Sequence, residues 1–180
     1  MVFQPHDGPV LISSDHLIDQ ARILAGRPAA RRPRQVDLRR ALSAAYYAVF
    51  HEIAGIWARQ VFTAEQAMLR ERAAPMLDHR CLADACRAWQ TTPLPVNNAR
   101  LIPPGAASLA APDLAATQKM AKIVLDLQKQ RHLADYDPGF TTSRTNTMAL
   151  VNDVWLVIQH LRTVTVFIFS VIAWETLSPP

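Results

Sequence analysis

Apolar residues recur along this chain at three- and four-residue intervals, and no stretch alternates with the two-residue period of a half-buried strand. Ser13, Ser14 and Asp15 offer an N-cap to a first helix running to about Leu24, where Gly26 and Pro28 stop it. Leu17, Ile18, Ala21 and Leu24 give that helix one apolar face. A second helix is predicted from Leu38 to about Val61, capped by Asp37. Leu38, Leu42, Ala45, Val49, Ile53 and Ile56 form one stripe on it, and Ser43, Tyr47, Phe50, Ala54 and Trp57 a second. A helix apolar on two faces belongs at the centre of a bundle. Two shorter patterns follow, Ala64–Ala74 and His79–Trp89, split by Pro75, the first opened by the capping-box spacing Thr63–Gln66. Residues 91–112 hold five prolines, two adjacent Asn and Gly105, and are predicted to be an exposed loop. Another helix runs from Asp113 to about Asp135, ended by Pro138-Gly139. Thr141–Ser143 can cap a last one, Arg144 to about Thr176, which would be about 48 Å long. No internal repeat is visible. The expectation is an all-α fold: one domain over residues 1–180, an antiparallel bundle of four main helices, with a loose arm at 1–12 and an insertion at 63–112 between the second and third main helices.

Composition sharpens this picture in three places. Half of the residues are hydrophobic and 19% charged, an ordinary globular balance. The most apolar run, Val164–Trp174, is about eleven residues where a bilayer span needs roughly 20, so it is predicted to be a buried helix and no membrane is expected. Met1–Val10 lacks the basic start and apolar core of a signal peptide, and the two cysteines, Cys81 and Cys86, make neither a disulfide framework nor a zinc site. A cytoplasmic location, with free thiols, is the expectation. The net charge is +4, carried by sixteen Arg and three Lys. Seven of those Arg fall between Arg22 and Arg40, against the single acid Asp37. This segment either attracts a polyanion or is a solvated linker between helices.

Two segments can carry chemistry. In Leu38-Arg39-Arg40-Ala41-Leu42-Ser43-Ala44-Ala45-Tyr46-Tyr47-Ala48-Val49-Phe50-His51, the residues Arg39, Ser43, Tyr47 and His51 are four apart and form a stepped row on one helix. Hydroxyls and an imidazole beside a guanidinium can hold a phosphate; they can equally be core residues with polar tips at the rim. In Arg131-His132-Leu133-Ala134-Asp135-Tyr136-Asp137-Pro138, Arg131 shares a helical face with Met120, Ile123, Val124, Leu127 and Ala134. A charge on an apolar stripe needs a partner, and Asp135 at i+4 is the nearest; the other reading has Arg131 clamp a phosphate. The chain has no Gly-rich phosphate loop, nucleophile elbow or clustered metal ligands, and no cofactor is expected. Trp155 and His160 are read as packing or dimer-face residues.

Together, the two segments resemble the HEPN superfamily. The likeness is greatest to a small branch carrying Ser-x-x-Tyr-Tyr-Ala-x-Phe-His and Arg-x-x-Ala-Asp-Tyr-Asp, and it covers roughly residues 15–62 and 113–174. The resemblance implies a helical bundle that forms a homodimer with a cleft at its interface. It implies metal-independent ribonuclease activity on RNA, and in several members a toxin role neutralised by a nucleotidyltransferase-type antitoxin. It further implies a cleft in which Arg131 steadies phosphate while Tyr136 or His51 serves proton transfer, with Arg39, Ser43, Tyr47, His132 and Asp135 binding RNA or a nucleotide. The family's signature is Arg, four to six residues, then His. This chain departs from it: positions 136 to 138 hold Tyr136, Asp137 and Pro138, and His132 points about 100° away from Arg131 around the helix. Arg72 and His79 match the spacing, but Pro75 lies between them and they fall outside the region of likeness. The alternative expectation is therefore a non-catalytic binding module.

Overall fold

A computed structural model describes residues 12–26, 34–74, 77–90 and 111–163. They form six α-helices: α1 Ser14–Gly26, α2 Gln35–Val61, α3 Ala67–Ala73, α4 His79–Gln90, α5 Ala111–Tyr136 and α6 Arg144–Thr163. A 3-10 turn, Ala64–Gln66, leads into α3, and among the described residues there is no strand. The fold is all-α, as the periodicity predicts.

α2 is the hub. It packs on α1, α3, α5 and α6, while α4 packs on α5 and α1 on α6. Both of its apolar stripes are used: Leu38, Leu42, Ala45, Val49, Ile53 and Ile56 are buried, as are Phe50, Ala54 and Trp57. α4 adds Leu82, Cys86 and Trp89 to the same core.

Side-chain contacts give the running directions. Arg39, Ser43 and Tyr47 on α2 meet Ala134, Asp135 and Arg131 on α5, so α5 is descended as α2 is climbed. Ser14 and Asp15 at the start of α1 meet Arg162 near the described end of α6, and a Cβ on Gly26 at the end of α1 would lie 3.9 Å from Met148 near the start of α6. These two helices also run oppositely. No helix among the described residues is long and apolar enough to cross a membrane.

Several predicted boundaries move. α2 begins at Gln35, with Arg34 as its N-cap and no side-chain cap bond, so Asp37 lies inside the first turn instead of capping it. Gln35 is fixed instead by a reciprocal pair with Thr142, its amide donating to the carbonyl and accepting from the N–H, each at 3.0 Å. α5 starts at Ala111, before Asp113. Ser143 does cap α6, its Oγ accepting from Asn146 N–H at 3.1 Å, and Thr63 N–H donates to Gln66 Oε1 at 3.0 Å ahead of the 3-10 turn. Residues 1–11 of the arm, the basic stretch from Arg27 to Pro33, the loop at 91–110 and the apolar run Val164–Trp174 lie outside the described residues.

Candidate functional site

The stepped row on α2 engages the end of α5 rung by rung. Arg39 Nε donates to Ala134 O at 2.6 Å and its Nη2 to Asp137 O at 2.8 Å, so its guanidinium covers the terminal carbonyls of α5. One turn on, Ser43 Oγ donates to Asp135 Oδ1. After another turn, Tyr47 OH accepts from Arg131 Nη2 at 2.5 Å. Arg131 Nε lies 2.7 Å from Asp135 Oδ2, placed as a charge contact and not as an aligned hydrogen bond. Tyrosine rings flank the guanidinium: its Cζ lies 5.1 Å from the Tyr47 ring centre and 5.7 Å from those of Tyr46 and Tyr136. The Arg131 side chain is 17% exposed and that of Asp135 29%, so the pair sits at the rim of the core.

His51 and His132 stand to the side. His51 completes the α2 row, its ring 6.2 Å from that of Tyr47, and it lines a different cavity beside Ser14, Glu52 and Arg59. Burial, and then the neighbouring His79, lower its pKa, so the imidazole favours its neutral form. His132 is exposed, its ring tilted against that of Tyr136 at 5.1 Å, and Tyr136 is itself largely in solvent.

A further imidazole, one that the motifs did not contain, bonds to a tyrosine beside Arg131. His79, the first residue of α4, shares a hydrogen bond between its Nδ1 and Tyr46 OH at 2.8 Å. Its ring packs 4.1 Å from Phe50, 5.5 Å from Tyr46 and 6.0 Å from Tyr47. Gln128, one turn before Arg131 on α5, donates to the His79 carbonyl at 3.1 Å. Burial first, and then the charge of Arg131, hold His79 below the ordinary histidine value, only partly offset by Asp78. Burial likewise pushes the Tyr46 phenol up, against the pull of Arg131, and keeps it protonated. The Arg72–His79 spacing was the only trace of this histidine in the sequence. Arg72 is exposed on α3, so the spacing pointed to His79 for the wrong reason.

A second polar network joins α1, α2 and α6, and neither motif announced it. Arg162 grips the buried Glu52 with a fork, Nη2 to Oε2 at 2.7 Å and Nε to Oε1 at 3.2 Å. The same Nη2 donates to Ser14 Oγ at 3.0 Å, and Nη1 pairs with Asp15 Oδ1 at 3.1 Å. Ser14 Oγ in turn donates to Glu52 Oε2. Burial alone would raise the Glu52 pKa. The hydrogen bonds from Arg162 and Ser14, with the charges of Arg162 and Arg59, outweigh burial and hold the carboxyl below its ordinary value. Trp155 is a packing residue, with Arg22 of α1 seated 4.6 Å over its ring.

Among the described residues, no group of three or more His, Cys, Asp or Glu is placed to hold a metal ion. In comparisons with protein-family models, with curated proteins and with solved structures, nothing matches this chain.

Proposed function

We propose that this chain is a HEPN-like helical domain that binds a phosphate-bearing ligand, RNA or a nucleotide, at the Arg131 cluster, and that it does so without turning the ligand over. In this reading α1, α2, α5 and α6 are the four main helices of one antiparallel bundle. The observation that carries the reading is the meshing of the two motif segments. Residues 84 to 92 positions apart in sequence close into a single cluster of one guanidinium, one carboxylate, two hydroxyls and three tyrosine rings. Such a cluster offers a charge for phosphate and ring faces for bases. Binding without turnover is favoured because the two candidate proton carriers named from the motifs are badly placed: His51 lines another cavity and Tyr136 lies at the outer edge. The resemblance extends the proposal to a cytoplasmic homodimer with a small nucleotidyltransferase as partner, in a toxin–antitoxin or defence setting; this part rests on analogy.

One observation favours a second reading, a metal-independent ribonuclease. His79 is held neutral against the same tyrosines as Arg131, and a neutral imidazole can take a proton from a ribose 2′-hydroxyl at neutral pH.

The test is binding of a short single-stranded RNA and of AMP by the purified protein at rising salt, beside Arg131→Ala, followed by incubation of the RNA in EDTA. The binding reading expects salt-sensitive affinity that falls at least tenfold in Arg131→Ala, and no cleavage. Equal affinity of the folded variant would remove it. Cleavage in EDTA that His79→Gln abolishes would establish the second reading in its place.

A further inference from the structure

Asp135 occupies a seat shaped for two oxygens of one anion. Its Oδ1 accepts the Ser43 hydroxyl and its Oδ2 lies 2.7 Å from Arg131 Nε, while Nη2 of the same guanidinium donates to Tyr47 OH. A phosphate group presents two oxygens at nearly the same separation as a carboxylate, and Arg takes either. The surroundings favour a second, incoming anion. The carbonyls at the end of α5, which would repel one, are already covered by Arg39. A hollow of about 380 Å³ leads to Asp135 between Ala134 and the first turn of α2, and the exposed Arg40 stands on its wall. That first turn places the positive end of a 27-residue helix at the entrance.

We propose that the Asp135 carboxylate is an internal occupant of the phosphate seat, and that a terminal phosphate displaces it to bind Ser43 and Arg131. This deepens the proposed binding function and rests on it. The hollow meets Asp135 from the side of Gln35 and Arg40, and the Tyr46 and Tyr47 ring centres lie 5.7 and 5.1 Å from the guanidinium carbon. The end of a ligand fits such a seat; a backbone phosphate, with chain continuing on both sides, does not. Asp135 thus sets the affinity: the ligand must break an ion pair and then lie near the carboxylate it has displaced.

The experiment compares wild type, Asp135→Asn, Ser43→Ala and Arg131→Ala by titration with one RNA oligonucleotide made with a 5′-phosphate and with a 5′-hydroxyl. Asn keeps the shape and an acceptor for Ser43 but removes the charge. The expected result is at least tenfold tighter binding of the 5′-phosphorylated RNA by Asp135→Asn. Ser43→Ala should bind several-fold more weakly than wild type, and the 5′-hydroxyl RNA should respond little to either change. If wild type binds RNA through Arg131 but a folded Asp135→Asn binds no tighter, the seat is wrong and the binding function stands. If Asp135→Asn tightens both RNAs equally, the charge acts at long range and the seat is again wrong. If neither wild type nor Asp135→Asn binds either RNA, both proposals fall.

Discussion

The two polar networks are built from the same parts and finished differently. Each has an arginine, a carboxylate and a serine that donates to that carboxylate: Arg131, Asp135 and Ser43 between α2 and α5, and Arg162, Glu52 and Ser14 among α1, α2 and α6. In the second network both Glu52 oxygens accept from one guanidinium fork, and Arg162 has a further acid in Asp15. In the first, arginine and acid touch through Nε alone, and three tyrosine ring centres lie 5.1 to 5.7 Å from the Arg131 guanidinium carbon. Exposure of the carboxylates follows the same division, 8% for the Glu52 side chain and 29% for that of Asp135. A buried carboxylate fully bonded on both oxygens has nothing to exchange. A rim carboxylate held by one hydroxyl and one charge contact can be replaced. The same three kinds of group thus give a staple in one place and a candidate site in the other.

The largest expected effect comes from breaking the staple. Arg162→Ala leaves Glu52 buried with only Ser14 and the distant Arg59, 3.9 Å away, as partners. The loss should be about 3 kcal/mol, the lower end for breaking a buried pair, or roughly 6–12 °C in Tm for a chain of this size. Arg131→Ala leaves an acid that water reaches, and should cost about 1 kcal/mol. Urea denaturation of both variants measures the difference. Equal losses would mean that Arg131 is a staple too, and that its site reading is unnecessary.

The two regions also differ in what the sequence shows of them. Arg131 is legible because it interrupts an apolar stripe and has an acid at i+4, within one helix. Glu52 interrupts the apolar run of α2 in the same way, between His51 and Ile53, but its partner lies 110 residues on, and no local spacing names it. His79 is hidden for the same reason: its partners Tyr46 and Phe50 are reached only once α4 packs on α5 and α5 on α2. Helix types and faces are local properties and could be read directly, down to the double stripe of α2. The start of α2 could not, because Gln35 is held by Thr142, which is 107 positions away.

Titration separates the regions at intermediate cost. The folded pKa of Glu52 lies below its ordinary 4.5, so its ionisation stabilises the fold fully above about pH 4.5, and that contribution is lost as pH falls through the folded value. His51 and His79 are lowered from 6.5, so the fold prefers them neutral; stability is undiminished above about pH 6.5 and declines as pH falls below it. Urea midpoints from pH 8 to pH 3 should show two steps in wild type. Glu52→Gln should flatten the acid step and His79→Gln should weaken the upper one. A single step unaffected by Glu52→Gln would take the charge of Glu52 out of the account.

The smallest expected effect probes the loose edge of the staple. Gly55 stands in the interior of α2, where glycine costs roughly 1 kcal/mol against alanine. A Cβ there would come within 3.2 Å of Arg59 Nη1, a close approach to the far end of a long side chain that is 54% exposed and can give way. Arg59 reaches Glu52 only at 3.9 Å, while Arg162 already saturates that carboxylate. If the staple is complete without Arg59, moving its guanidinium costs little and the helix gain prevails. Gly55→Ala should then raise stability by about 0.5 kcal/mol. A loss of similar size would show that Arg59 shares in neutralising Glu52. In that case the same substitution in Arg162→Ala, where Arg59 is the sole remaining cation beside Glu52, should cost more than it does in wild type.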